Sequence, residues 1–299
     1  MGLRHTNVIL GRTLPIVVGA CLLSASLAAE EAAANVSFLQ FADTQFGMFA
    51  ANRNYDQESA NFEFAIAAAN RLKPRFVVVC GDLVNQPGDE QQIAEYLRIE
   101  GKLDKDILIY RVAGNHDVGN QPTSASLQQY RKKLGPDFYS FREGPVYGIV
   151  LNSSLIHSPQ FAAAELDEQE QWLRKELAQA KKSGAAHTIV FVHHPFFLKA
   201  IDEPDQYFNI PLDRRKRYLD LLRSHGVRYI FAGHYHRNAI ASDGDLHMIT
   251  TGPVGKPLGG DKSGLRVVSI SKEHIAHQFY DFGSLPNSLT KQPGNTTNK

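Results

Sequence analysis

The sequence predicts an α/β fold in which strands and helices alternate along the chain. Two observations carry this. From residue 35 onward short apolar runs alternate with amphipathic stretches, and five of those runs end in a His, Asp, Asn or Gln. Alternation of this kind is the element order of layered α/β domains, whose loops leaving the strands gather ligand-binding groups.

Apolar runs of strand length lie at 36–42, 76–80, 107–113, 146–152, 188–193, 227–232, 246–251, 265–271 and 274–281. Between the first two, Phe62, Ile66, Ala69 and Leu72 recur at helical spacing and predict a helix near 58–72. Leu166, Leu173, Leu177 and Ala180 do the same for 163–182, and further helices are expected over 88–101, 124–134 and 212–225. The loop at 252–264 is rich in glycine yet lacks a phosphate-loop pattern, and no internal repeat is apparent.

The 299 residues are 43% hydrophobic and 21% charged, the profile of a globular chain able to bury a full core. Lys and Arg number 32 against 31 Asp and Glu, so no global field favours a polyanion and nucleic-acid binding gains no support. Any preference for phosphate has to come from a local site. Cys21 and Cys80 sit in unrelated settings, so neither a disulfide framework nor a thiolate metal site is indicated. Cys80, closing a Val-rich run, reads as a small buried hydrophobe.

The N-terminus places Arg4 and Arg12 before an apolar stretch from Leu14 to Leu27 and a run of small residues, the three-part layout of a secretory signal. The stretch is short for a spanning helix, and no stable membrane span is expected. Cleavage is expected near Ala28 or Ala34, giving a secreted or periplasmic protein; a lipid anchor on Cys21 is the alternative. The domain expectation is therefore a signal and spacer over 1–34, one catalytic domain over 35–283, and a tail over 284–299. That tail is rich in small polar residues and expected to be disordered.

The five polar run ends are Asp43-Thr44-Gln45, Gly81-Asp82, Gly114-Asn115-His116-Asp117, His193-His194 and Gly233-His234-Tyr235-His236. One histidine near a strand end is more often structural than a ligand, and a lone Gly-Asp says little. Five such segments in order are another matter. In extended chain residues i and i+2 point the same way, which would pair Asp43 with Gln45 and His234 with His236. The glycines before the polar residues leave room for close approach by a metal or substrate. Carboxylate, amide and imidazole donors suit Zn, Mn, Fe or Mg, and seven of them exceed one tetrahedral site. Two ions about 3.5–4 Å apart would use them all, with one bridging carboxylate and a hydroxide placed for attack on phosphorus.

These segments resemble the calcineurin-like metallophosphoesterases, whose pattern is D-x-H, G-D, G-N-H-D/E, H and G-H-x-H, over roughly residues 36 to 282. The resemblance implies a four-layer αββα sandwich. By motif it implies that Asp43, Gln45 and His236 hold one metal, that Asn115, His193 and His234 hold the second, and that Asp82 bridges them. His116 would lie outside the metal shell and act on the leaving group, with Asp117 a structural partner. The Asp-x-Gln first motif, together with the stretches CGDLV, GNHDVGNQPT, YFN and GHYHRN, is similar to a subgroup of calcineurin-like serine/threonine phosphoprotein phosphatases. Better-known phosphoprotein phosphatases carry G-D-x-x-D-R in the second motif, where this chain has Asn85 and Gln86. The charged partner of the acid and a phosphate-gripping arginine are thus missing there. Arg237 and Asn115 are the candidate substrate contacts.

The expected activity is hydrolysis of a phosphorylated substrate, a monoester, with a phosphodiesterase acting on cyclic nucleotides or phospholipids as first alternative and a non-catalytic metal-binding surface protein as second. His157, His187, His225 and His247 read as surface or structural residues. His194 should point away from the metals while bordering the pocket, and Tyr207, Phe208 and Trp172 read as core, the first two being conceivable as a wall over the cleft.

Overall fold

The computed structural model describes residues 35–289. The expected signal segment with Cys21, and the last ten residues of the tail, lie outside the described residues. In chain order the first half runs β1 (Val36–Phe41), α1 (Asp56–Leu72), β2 (Phe76–Cys80), α2 (Glu90–Glu100), β3 (Leu108–Val112), α3 (Asn115–Val118), α4 (Ser124–Leu134), β4 (Tyr139–Glu143) and β5 (Val146–Val150). The second half runs α5 (Ser153–His157), α6 (Ala163–Lys182), β6 (His187–Phe191), α7 (Leu212–Ser224), β7 (Tyr229–Ala232), β8 (Ala239–Asp243), β9 (Leu246–Thr250), β10 (Gly264–Ile270) and β11 (Ile275–Asp281).

Two sheets form. One has the order β11-β10-β1-β2-β3, with β1, β2 and β3 parallel; the other has the order β4-β5-β6-β7-β9-β8, with β5, β6, β7 and β9 parallel. Period-2 alternation splits each strand between two cores. Phe38, Phe76, Val78 and Cys80 from one sheet meet Val150, Ile189, Phe191 and Phe231 from the other. Leu39, Phe41, Val77 and Val79 instead face Phe62, Ile66 and Ala69 of α1, and Val190 and Ile230 share a cluster with Leu173, Leu177, Leu219 and Leu222 of α6 and α7. The result is the four-layer αββα sandwich.

Aromatic rings seal the two sheets. Phe38 stacks on Phe76 at 4.8 Å and takes Phe191 and Phe231 edge-on at 5.6 and 5.3 Å. Arg266 of β10, buried, adds a polar tie across the gap: its guanidinium donates to Thr251 Oγ1 (2.7 Å) and Asn238 Oδ1 (2.9 Å) on the opposite sheet's loops and to His277 Nδ1 (3.0 Å) on β11. Among the described residues no carboxylate balances that charge, and burial lowers the Arg266 pKa to about 10.

All nine expected strands form, with ends shifted by a residue or two, and the helices at 124–134 and 163–182 keep their bounds. Two strands escaped the sequence reading, β4 and β8, both outermost in their sheet. Each is the first arm of a hairpin closed by two residues, Gly144-Pro145 and Gly244-Asp245, with the glycines at φ 53° and 61°. A glycine opening a two-residue loop between short runs was the available signal. The single-turn helices α3 and α5 are too short to leave a periodicity. Of the expected disordered tail, residues 284–289 instead lie against the domain. Leu285 and Leu289 pack on the core, and Arg71 Nη1 donates to the carbonyls of Pro286 and Asn287, both at 2.8 Å. Apolar contact and paired carbonyls offset the ordering entropy that composition alone made unfavourable. No helix of the described residues is long and apolar enough to cross a membrane.

Candidate metal centre

Every candidate donor follows a parallel strand. Asp43 and Gln45 come after β1, Asp82 after β2, Asn115 after β3, His193 after β6, and His234 and His236 after β7. The carboxyl ends of the two sheets thus converge on one cluster. Asp43, Gln45, Asp82, Asn115, His193, His234 and His236 are all buried. Asp82, His193 and His234 form one group whose potential ligand atoms lie within 4.8 Å of one another, and Asp43, Asp82 and His236 form a second; Asp82 belongs to both. Within the cluster His193 Nε2 is 3.2 Å from Asp82 Oδ2 and 2.9 Å from Asn115 Oδ1, and His236 Nε2 is 3.5 Å from Asp43 Oδ1.

Backbone carbonyls fix the imidazoles. His193 Nδ1–H donates to Cys80 O (2.8 Å) and His236 Nδ1–H to Lys256 O (2.5 Å), so each presents Nε2 inward. His234 does the reverse, donating through Nε2 to Tyr207 O (3.1 Å) and leaving Nδ1 free. Such outer partners set ring orientation and tautomer at metal sites. The carboxylates are held by backbone N–H groups, the two amides by side-chain oxygens. Both oxygens of Asp43 accept from His234 N at 3.1 Å, and Asp82 Oδ1 accepts from His116 N at 2.8 Å. Asn115 Nδ2 donates to Asn120 Oδ1 (2.7 Å), which turns Oδ1 toward the cluster. Gln45 Nε2 donates to Asn85 Oδ1 (3.1 Å), while its buried Oε1 has no partner among the described residues. An orphaned amide oxygen on a residue whose backbone N–H donates to Asp82 O (2.8 Å) fits a cation ligand.

The local backbone is unusual. Asp43, Gln45, Asp82, His234 and His236 all have positive φ, between 41° and 68°. The i, i+2 pairing by extended chain is therefore corrected: Asp43 and Gln45, like His234 and His236, reach the cluster from left-handed turns. Left-handed backbone is costly for non-glycine residues and concentrates at functional sites. The preceding glycines do leave room. A Cβ on Gly81 would lie 2.4 Å from His193 Nδ1, and one on Gly114 would lie 2.2 Å from Asp82 Oδ1.

Electrostatics match the donor chemistry. Burial raises the Asp43 carboxyl to about 6, against the pull of His236 and His193. Burial acts to raise Asp82 too, but the charge and hydrogen bond of His193 outweigh it and hold this carboxyl below the ordinary range. Burial holds His234 well below the usual histidine value, neutral and ready to donate a lone pair. Burial opposes protonation of His193, yet the charges of Asp82 and Asp43 raise its pKa to about 9, a positive charge beside the carboxylates that a bound cation would replace.

His116, half-buried, donates from Nδ1 to Asn85 O at 2.7 Å and keeps Nε2 free. The backbone carbonyl of Asn85 thus occupies the orienting role that a carboxylate would take in G-D-x-x-D-R. Asp117 accepts from the backbone N–H groups of Leu83, Val84 and Gly114 at 2.8–3.2 Å and ties the second motif to the third. His194 is buried and bonded to Ser153 Oγ (3.0 Å), its ring between those of His234 (4.2 Å) and His157 (4.9 Å). Tyr207, read as core, is 54% exposed: its ring lies 5.0 Å from that of His234 and its hydroxyl 3.4 Å from Asn115 Nδ2. The ring thus lies at the surface beside the donor cluster and outside the core. Arg237 lies over the Tyr235 ring and bonds Leu258 O (3.3 Å) rather than any of the seven donors. Sequence reasoning missed Asn85, Asn120, Ser153 and the carbonyls of Cys80, Tyr207 and Lys256; backbone partners leave no residue-type signal.

Residues 36–238 match the family of calcineurin-like phosphoesterases. The chain belongs to this family. Its members use a dinuclear metal centre, and the chain is a metal-dependent hydrolase of phosphoric esters. Among relatives, the serine/threonine-protein phosphatase CPPED1 of Mus musculus is 38% identical over 263 residues, covering 83% of this chain and 84% of that protein. Solved structures of the same fold include GAP50, the anchor in the inner membrane complex of Plasmodium, with a TM-score of 0.60 at 15% identity, covering 83% of this chain and 85% of that one. A dimetal phosphatase from Danio rerio has a TM-score of 0.57 at 17% identity, covering 82% of this chain and 99% of that one.

Proposed function

We propose that this phosphoesterase hydrolyses phosphate monoesters, with phosphoserine or phosphothreonine of proteins as substrate class, at a centre of two metal ions. One observation carries the two-ion reading: two groups of candidate ligands share Asp82. Asp43, Gln45 and His236 would hold one ion, Asn115, His193 and His234 the other, with Asp82 common to both. Neutral nitrogen and hard oxygen donors suit Mn, Fe, Zn or Mg. When bound, such ions neutralise phosphoryl charge and lower the pKa of water.

The chain's own residues do the rest. With Nδ1–H committed to Asn85 O, His116 offers Nε2 to protonate the departing oxygen. Asn115 and the exposed ring of Tyr207 border the space a substrate would enter. The substrate class rests on the relatives, named serine/threonine-protein phosphatases and matched over most of their length. Purified protein with measured metal content, assayed on phosphopeptides, alkyl and aryl monoesters and a bis-aryl diester, tests the reading. Monoesters are expected to turn over faster; faster turnover of the diester overturns it. Export rests on the arrangement of residues 1–34, and N-terminal sequencing of extracytoplasmic material should find cleavage near Ala28 or Ala34. Intact chain from Met1 in the cytoplasm would defeat export, and a lipid-modified Cys21 terminus would favour the anchor.

A further inference from the structure

Gln92 lies in the first turn of α2, is 3% exposed, and takes no part in the metal cluster. Its Oε1 accepts from two backbone N–H groups, those of Asn85 (2.9 Å) and Gln86 (3.0 Å), and its Nε2 donates to Asn52 Oδ1 (3.0 Å). Asn52 Oδ1 accepts a second bond, from Asn85 Nδ2 (2.8 Å), and Asn85 Oδ1 accepts from Gln45 Nε2 (3.1 Å). Four side-chain amides therefore form one chain ending at Gln45.

An amide has a donor end and an acceptor end, so each bond in such a chain dictates which way the next group faces. The direction is set where a partner cannot flip. Here that point is the pair of backbone N–H groups, which demand an acceptor and pin Oε1 of Gln92. Nε2 must then face Asn52 Oδ1; Asn52 Oδ1 selects Asn85 Nδ2; Asn85 Oδ1 selects Gln45 Nε2. The end of Gln45 left over is Oε1, buried and without a partner among the described residues. The same two N–H bonds grip the Asn85 backbone, whose carbonyl accepts from His116 Nδ1. Packing leaves the network little slack: a Cβ on Gly47 would lie 2.5 Å from Asn52 Oδ1 and 2.9 Å from Gln92 Nε2.

We propose that Gln92 is a positioning residue that, through Asn52 and Asn85, turns the oxygen of Gln45 toward the metal centre and holds the carbonyl that orients His116. This rests on the roles given above to Gln45 and His116. It separates into two branches with different tests. Gln92→Glu keeps an acceptor for both backbone N–H groups but presents a second acceptor to Asn52. Asn52, Asn85 and Gln45 must then reverse, and Gln45 offers its NH₂ to the metal. This nearly isosteric change is expected to weaken the first metal site about 10–100-fold, the usual cost of losing an outer-shell partner, while leaving-group dependence stays as in wild type. Asn52→Gly removes the shared acceptor, is compatible with the φ of 63° at that position, and is expected to weaken the same site alone. Gln92→Leu removes both ends and should weaken the site and also slow alkyl esters more than nitrophenyl esters.

The experiment is competition for Mn or Zn by a chromophoric chelator with full-length protein, a readout independent of turnover, alongside rates on alkyl and nitrophenyl phosphates and thermal melts. Wild-type metal affinity in both Gln92→Glu and Asn52→Gly overturns the polarity branch, and a Gln92→Leu variant with unchanged leaving-group dependence overturns the His116 branch. Should Gln92→Leu not fold, Gln92→Met, unbranched like glutamine and without its amide acceptor, decides that branch by the same readout: alkyl esters slowed more than nitrophenyl esters support it, and unchanged leaving-group dependence overturns it. Gln45→Ala and His116→Ala serve as controls. If Gln45→Ala itself binds metal normally, the ligand assignment has failed; if only the Gln92 variants do, the positioning role alone has.

Discussion

The five-stranded sheet supplies the centre with Asp43, Gln45, Asp82 and Asn115, all oxygen donors, whereas the six-stranded sheet supplies His193, His234 and His236, all nitrogen donors. The supports differ in kind as well. The carboxylates are held by backbone N–H groups, the two amides by donating to the side-chain oxygens of Asn85 and Asn120, and the imidazoles by the backbone carbonyls of Cys80, Tyr207 and Lys256. One of those carbonyls crosses between the sheets, since Cys80 ends β2 and His193 follows β6. Each candidate ligand group also mixes both sheets. Neither sheet could assemble a site alone, so packing between Phe38, Phe76, Phe191 and Phe231 is a precondition for chemistry as well as for stability.

The largest break is expected at Asp82, the one donor common to both groups. Asp82→Asn should lose both metals and all measurable turnover, well beyond the roughly 10–100-fold that loss of a supporting contact costs. Elemental analysis showing two retained metals and a normal rate would remove Asp82 from the bridge. By contrast His193→Ala should empty mainly one site.

Next in size is His116, on the oxygen-donor side but outside the donor set. His116→Ala should keep both metals yet slow alkyl esters by about 10²–10⁴-fold, the usual worth of a general acid, with little effect on p-nitrophenyl phosphate, whose leaving group needs no proton. Equal losses on the two substrates would show that the proton comes from elsewhere.

Gln45 sharpens the contrast between the halves because it stands where the commoner family pattern has a histidine. A neutral amide oxygen is a weaker donor than imidazole toward Zn or Fe and relatively better toward Mn or Mg. Chelator should therefore strip the first site before the second, and activity should return best with Mn or Mg. Gln45→His should tighten that site and move its preference toward Zn or Fe; identical titrations of the two proteins would refute the assignment.

The smallest effect concerns the polar tie between the sheets. Burial and the nearby Arg266 charge lower the His277 pKa to about 4, against about 6.5 in an unfolded chain. Between those values the unfolded state binds the proton and the folded state does not, so stability is full above pH 6.5 and falls as pH drops toward 4. The loss is at most about 3 kcal/mol, less where solvent reaches the ring. His277→Gln keeps an acceptor for Arg266 and should flatten this part of a urea-denaturation profile against pH; an unchanged slope would exclude His277 as its source.

How far the sequence could be read depended on where a partner sat. The strands at 76–80 and 265–271 announced themselves through apolar runs, because burial on both faces selects apolar residues locally. β4 and β8 did not, since an edge strand owes its conformation to the neighbour it pairs with. Asp82 and His193 were recognisable as residue types in motifs, whereas Asn85 looked like a missing acid. Its carbonyl proves to orient His116, a role any residue's backbone could fill and no side chain advertises.

Donor chemistry, the order of the donors along the chain and the layered α/β class depend on residue type and short-range pattern, and so are written locally in the amino-acid sequence. Left-handed backbone at Asp43, Gln45, Asp82, His234 and His236, an exposed Tyr207 ring beside His234, and a buried Gln45 Oε1 without a partner among the described residues arise only in the folded chain. The bond from Gln45 to Asn85 spans 40 residues and that from His193 to Cys80 spans 113. Such contacts exist only once two separately formed sheets have packed, and no local periodicity encodes them.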